Sequence, residues 1–281
     1  MKKGLVLEGG AMRGLFTAGV IDVLLENDIK FDGMAGVSAG AAFGSNFKSG
    51  QIGRALRYNK KYCRDKRYCS IYSLITTGNL YGAEFCYKLL PDKLDVFDIK
   101  AFDDNPMEFY VVCTDIEEGK AVYKNYTKSD GEIYEWIRAS ASLPLVATTV
   151  ELGGRKYLDG GICDAIPVRF LESIGYEKNV IVLTQPEGYV KEKTGMMGLM
   201  KMVLKKYPKT IKALENRHLM YNETTKHIFK QRDEGKAFVI CPKEPLPIKR
   251  VEKNPEILQQ VYDIGRKTAE ENIDKLKDFL K

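Results

Sequence analysis

Short apolar runs alternate with longer stretches in which apolar residues recur every three or four positions, from the start of the chain to its end. The short runs predict strands at residues 4–7, 31–37, 107–115, 120–125, 149–152 with 156–158, 179–184 and 237–241. The periodic stretches predict helices at 15–26, 39–47, 52–63, 83–90, 131–139, 167–174, 207–232 and 255–279. Strands that alternate with helices imply an α/β fold, a mainly parallel sheet covered on both faces in a three-layer α/β/α sandwich. Two hairpins, turning at Glu118-Gly119 and Gly153-Gly154, interrupt the parallel pattern. The last helix carries Ile257, Val261, Ile264, Thr268, Ile273, Leu276 and Leu280 on one stripe, which predicts that the C-terminus docks on the body.

Neither repeats nor linkers divide the 281 residues, so a single domain is expected over 1–281. No run approaches the length of a membrane-spanning helix, and the few apolar residues after Met1-Lys2-Lys3 are too short for a secretory signal. The six cysteines form no C-x-x-C pair and read as free thiols in a reducing, cytoplasmic setting. A formal charge of +6 is modest for this length and calls for no nucleic-acid partner. The basic residues collect at 54–67 and 201–212, and the second group follows a segment, 196–204, with four methionines among nine residues. That segment reads either as a contact with an anionic membrane surface, as a cover for an apolar groove, or as core filled by methionine.

Three glycine-framed pieces carry the candidate chemistry. Gly36-Val37-Ser38-Ala39-Gly40 joins the second strand to the second helix, the setting of a nucleophile elbow. Serine there could also be a plain helix N-cap, but a cap needs no glycine on both sides. Gly9-Gly10-Ala11-Met12-Arg13-Gly14 joins the first strand to the first helix and offers backbone N–H groups close to Ser38. A dinucleotide fingerprint is the rival reading, opposed by Ala11 and by the absence of an acid at the end of the second strand. Asp159-Gly160-Gly161 follows a strand, so its carboxylate either faces the elbow or closes an ordinary Asx turn. Asp164 reads as a cap before the helix at 167–174. The two histidines, His218 and His227, fall within the long helix 207–232, and His218 sits on its apolar stripe as a buried structural imidazole. The order Ser38, Asp159, His218 matches an α/β-hydrolase triad, but a helix interior is an unusual origin for the base.

Together these pieces resemble the patatin-like phospholipases, serine acyl hydrolases with a Ser-Asp dyad. The resemblance covers residues 4–170 as the catalytic core, with 171–281 as a C-terminal extension. It implies Ser38 as nucleophile, Asp159 as base, and an oxyanion hole of Gly9, Gly10 and Ala11, in which Gly10 and Ala11 donate and Gly9 shapes the loop. Arg13, Gly14, Gly36, Gly40, Gly160 and Gly161 support the motifs. At Ala11 the family more often has a third glycine. The substrate implied is a lipid or lysolipid ester, with no metal or organic cofactor. Acyl transfer, or lipid binding without catalysis, remains open on the same scaffold. A normal aspartate, with a pKa near 3.9, is a poor base for an alcohol, so the dyad requires burial to raise its basicity.

Overall fold

A computed structural model describes residues 1–281. Its eight strands form one sheet: β1 (Lys2–Leu7), β2 (Gly33–Val37), β3 (Glu108–Asp115), β4 (Lys120–Asn125), β5 (Val150–Leu152), β6 (Arg155–Asp159), β7 (Tyr176–Val182) and β8 (Ala237–Ile240). The order is β5-β6-β3-β2-β1-β7-β8, with β4 paired to β3. From β3 to β8 all neighbours are parallel, and the antiparallel pairs are the two expected hairpins and β3 with β6. Within each strand the side chains divide by period two between separate cores. Leu5 and Leu7 join a large core on one face, while Val6 between them joins a smaller one on the other.

The large core is roofed by α1 (Gly14–Glu26), α2 (Ala39–Lys48), α6 (Ile133–Ser140) and α10 (Pro255–Glu270). The smaller core lies under α7 (Val168–Ser173) and α9 (Pro208–Asp233). This is the three-layer sandwich that the alternation implied. The remaining helices are α3 (Arg54–Tyr62), α4 (Ile71–Thr77), α5 (Ile99–Asp104), α8 (Met197–Val203) and α11 (Ile273–Leu280). No helix is long and apolar enough to cross a membrane.

Two elements differ from the sequence reading. Instead of an α-helix at 83–90 there is a π-helix over Phe85–Leu94 that contains Pro91. Proline removes an N–H and crowds the preceding turn, and the wider pitch relieves both. Instead of one helix at 255–279 there are two, because Asn272 turns back and donates its side-chain amide to the Thr268 carbonyl (2.8 Å). Helices α4, α5 and α8 were absent from the sequence reading, being too short to show a period.

Helix α1 is buried almost end to end and is pinned from outside by α10. The two backbones touch through glycine: a Cβ on Gly19 would lie 2.1 Å from the Tyr262 carbonyl oxygen, and one on Gly265 equally close to that of Phe16. Polar bonds finish the crossing, from Tyr262 OH to Asp22 (2.7 Å) and from Arg266 to Glu26 (2.7 Å). Gly265→Ala should therefore overpack the crossing by about 1–3 kcal/mol. Thermal unfolding should show a drop of roughly 2–4 °C for each kcal/mol. An unchanged Tm would mean that α10 does not seat on α1 in this way.

Candidate active site

The chain crosses from one side of β1 to the other, with β2 on its left and β7 on its right, which opens a crevice at the carboxyl ends of the strands. Into it run the loop after β1 and the turn after β2. Ser38 occupies that turn with φ 54° and ψ −120°, in the left-handed half of the map that costs an L-residue about 1–3 kcal/mol. It sits at the N-cap position of α2, yet its side chain makes no capping hydrogen bond, so the hydroxyl is left for other work. The turn closes tightly because Gly36 and Gly40 have no side chains. A Cβ on Gly40 would stand 2.4 Å from the Leu7 carbonyl oxygen, and one on Gly36 2.7 Å from that of Gly40.

Ser140 holds the strained turn. The Ser38 N–H donates to its Oγ (2.8 Å), and that hydroxyl donates in turn to the Val112 carbonyl (2.6 Å). The sequence reading missed this residue. Its signal was the pair of serines in Ala139-Ser140-Ala141-Ser142, since the Ser142 carbonyl also accepts from Asp159 N–H (2.8 Å).

In the loop after β1, Glu8 is buried and accepts from Thr184 N–H (2.5 Å), Thr184 Oγ1 (3.1 Å) and Tyr221 OH (2.8 Å). It ties the loop to β7's end and to α9. Gly9 donates its N–H to the Ala165 carbonyl (3.4 Å) and brings its Cα side against Val37 and Ser38. Gly10 packs on the Thr184 side chain. The N–H groups of Gly10 and Ala11 meet no acceptor in the chain. Ala11 has φ 49°, the conformation in which its Cβ is a burden and a glycine would be at ease. Arg13 closes the 3-10 turn by donating N–H to Gly10 (3.2 Å), and Gly14 opens α1.

Asp159 ends β6 beside the elbow and is 2% exposed. One carboxylate oxygen accepts from Gly161 N–H (2.7 Å), so the Asx turn is present as well. Gly160 lets this turn press on the Val112 carbonyl. Burial raises the Asp159 pKa above its usual value, against the pull of the Arg217 guanidinium, the Ser38 hydroxyl and the Gly161 N–H. Ser38 thus neighbours the carboxylate, with its Oγ outside normal hydrogen-bond geometry to it. Catalytic hydrogen bonds commonly tighten only once substrate is bound. Arg217, from α9, is a second residue that the sequence reading missed. It donates Nε to the Gly161 carbonyl (2.5 Å) and locks the turn that carries Asp159.

The competing groups lie elsewhere. Asp164 accepts from Tyr123 OH (2.8 Å) and from Ile166 N–H (3.3 Å), and burial pushes its pKa up to about 6. His227 pairs with Glu172 (2.9 Å). His218 is half-buried rather than buried, its Nδ1 has no partner, and neither histidine hydrogen-bonds to Ser38 or Asp159.

Ser38 and Ala11 stand at the wall of a cavity of about 360 Å³, a size suited to a small organic ligand. Phe43, Tyr58, Tyr68, Leu80, Leu90 and Leu143 make it mainly apolar. The π-helix supplies Cys86, Tyr87, Leu90 and Pro91 to it. Segment 196–204 does not line this cavity. Met197, Met200 and the buried Leu204 pack on a small core with Ile116, Leu158, Ile162 and Leu214, while Met196, Leu199, Met202 and Val203 face solvent, so the segment is core on one side, open on the other, and no cover for the groove.

The sequence matches the family model for patatin-like phospholipases over residues 5–171, and that for a domain of unknown function (DUF6363) over 207–281. An uncharacterized protein YjjU of Escherichia coli is 28% identical over 272 residues, 93% of this chain and 74% of that one. An uncharacterized NTE family protein of Mycobacterium tuberculosis is 28% identical over 63% of this chain and 48% of its own length. The lysophospholipase nte1 of Emericella nidulans is 28% identical over 69% of this chain, which spans 13% of that far longer protein. Among solved structures, VipD from Legionella pneumophila aligns with 98% of this chain and 67% of its own at TM-score 0.47 and 13% identity. With the family model covering more than half of the sequence, the chain belongs to the patatin-like phospholipase family of lipid acyl hydrolases.

Proposed function

We propose that the chain hydrolyses carboxylic esters of phospholipids or lysophospholipids through a Ser38-Asp159 dyad. One juxtaposition carries this reading: a serine forced to positive φ beside a buried carboxylate of raised pKa, with two unpartnered N–H groups next to it. Ser38 Oγ attacks the ester carbonyl while Asp159 accepts the hydroxyl proton. The N–H groups of Gly10 and Ala11 receive the oxyanion, each contributing roughly 100-fold to 1,000-fold in rate. Collapse of the tetrahedral adduct breaks the ester bond, and Asp159 passes its proton to the departing alcohol. Water then adds to the acyl-enzyme with Asp159 again as base, releasing the fatty acid and restoring the serine. The apolar cavity takes the acyl chain, whose burial is worth about 0.8 kcal/mol per methylene. Residues 171–281 act with the core as one unit, because β7 and β8 extend its sheet and α10 seats on α1.

Ser38→Ala and Asp159→Asn should each fold normally and lose at least about 1,000-fold in kcat on a lysophospholipid. His218→Ala and His227→Ala should stay within about tenfold of wild type after correction for folded fraction. A folded but inert His218→Ala would replace the dyad with a triad.

The acid limb of kcat/KM gives a second test. Asp159 must be ionised to act, and its pKa is raised in the folded protein, so activity should fall on acidification at a pH above the ordinary aspartate range. Stability runs the opposite way: the buried carboxylate favours the fold most when protonated, and that contribution fades as pH rises through the raised pKa. A limb at or below pH 3.8, measured on folded enzyme, would count against Asp159 as the base.

We place the enzyme in the cytoplasm, in peripheral contact with anionic membrane through α8. Its exposed methionines lie beside Lys205 and Lys206, while Lys201 is neutralised by Glu215 at 2.6 Å. Each free lysine near a charged bilayer is worth about 1 kcal/mol, so Lys205→Gln with Lys206→Gln should weaken sedimentation with anionic vesicles by roughly 30-fold at low salt. Equal sedimentation of variant and wild type would remove α8 from the interface.

A further inference from the structure

Four cations gather around the loop after β1, and none has a carboxylate oxygen within 4 Å. Arg13 leaves the loop itself and donates Nε to Thr184 Oγ1 (3.4 Å). Lys191, from the segment after β7, holds its ammonium 4.3 Å from the centre of the Tyr221 ring, whose hydroxyl bonds to Glu8. Arg217 comes from α9 and bonds to the Gly161 carbonyl. Arg250, from the segment before α10, borders the same cavity as Ser38 and Ala11. Elsewhere every arginine but Arg64 finds an acid, as Arg232 does with Glu187 and Arg266 with Glu26. Here the nearby acids are Glu8, already satisfied by Thr184 and Tyr221, and Asp159.

Cations brought together without anions repel one another, and partial burial adds to the cost. Burial, then the neighbouring Arg217, Arg13 and Arg250, push the Lys191 pKa down to about 8. Burial also lowers that of Arg217, with Arg250 and Arg13 acting in the same direction and Asp159 against them. A bound anion would relieve all of these terms at once. Of the four, Arg250 lines the apolar cavity itself, and Arg13 directly follows Ala11 and Met12, which line it too. An amphiphile with its acyl chain in the cavity and its ester at Ser38 would extend its headgroup into this cluster.

Resting on the lipid-esterase reading above, we propose that Arg13, Lys191, Arg217 and Arg250 form a subsite for the phosphate of the substrate's headgroup. The enzyme thereby selects phosphate-bearing lipids over neutral acylglycerols. Two of the four residues lie in the C-terminal segment 207–281, which gives that segment a part in substrate choice.

The test uses two lipids that differ by the phosphate alone, 1-oleoyl-glycerol 3-phosphate and 1-oleoylglycerol, presented in neutral detergent micelles. Wild type should favour the phosphate in kcat/KM. Lys191→Met with Arg250→Gln should lower the phosphate-to-neutral ratio by at least about 20-fold, since each charge-assisted bond outweighs a neutral one. Lys191→Arg should restore most of it on the Arg250→Gln background. An unchanged ratio in folded enzyme would overturn the subsite. Binding of the corresponding ether lipids to the Ser38→Ala protein, by calorimetry, separates the two readings. If the ether phosphate binds at least 20-fold tighter than the ether alcohol and the double variant abolishes that margin, the subsite stands even where turnover fails. Equal binding of the two ethers overturns the subsite and leaves the dyad intact. Inorganic phosphate that binds as tightly as the ether phosphate would assign the cluster to free phosphate and overturn the headgroup role.

Discussion

Everything at the crevice depends on keeping Ser38 in a backbone conformation it would not choose. At φ 54° the residue stores strain that surrounding packing must outweigh. Three contacts do this. The elbow is squeezed between β1 and α2 by the side-chain-free Gly36 and Gly40, its N–H is held by the Ser140 hydroxyl, and that hydroxyl is fixed by the Val112 carbonyl. The loop opposite repeats the theme in a milder form, with Ala11 at φ 49° beside glycines that permit backbone to approach backbone. A relaxed serine would be an ordinary helix cap, its hydroxyl turned towards α2. The strain keeps that hydroxyl out of the helix.

The second balance is electrostatic. A carboxylate useful as a base must be less acidic than in water, which burial provides, yet it must still ionise at working pH. Arg217 supplies the counterweight, lowering what burial raises while its Nε fastens the Gly161 carbonyl. The same guanidinium therefore tunes Asp159 and fixes the turn that carries it. Its origin on α9 lets the segment beyond the core complete the electrostatics of a site whose Ser38 and Asp159 lie outside that segment.

Much of this was legible in the chain because the decisive glycines sit next to the residues they serve. Strand-turn-helix order placed Ser38 and the Gly9 to Gly14 loop at neighbouring strand ends, and the period-two and helical patterns placed all eight strands. What escaped is long-range or conformational. Ser140 reaches Ser38 across 102 positions and Arg217 reaches Gly161 across 56, and local sequence shows neither partner. The apolar stripe continues through Asn272, so periodicity could not announce the break between α10 and α11. His218 sat on an apolar stripe and read as buried, but the packing of α9 leaves it half-buried. For segment 196–204 composition could not decide among three surroundings, and only the packing of α8 shows Met197 and Met200 turned to a small core and Met196 and Met202 turned outward.

The π-helix over Phe85–Leu94 has a further consequence for how such a site could diversify. A π turn carries about one residue more than the α turn it replaces, and in this chain it forms part of the cavity wall rather than of the catalytic loops. Loss of a single residue there would tighten the pitch and rotate every side chain beyond it by about 100°. Tyr87, Leu90 and Pro91, which all border the cavity, would be turned from their present directions in one step, reshaping its wall while the elbow and the Asp159 turn stayed where they are. The form of the cavity in this architecture is thus separable from the turns that hold Ser38 and Asp159, and one insertion or deletion is enough to move it.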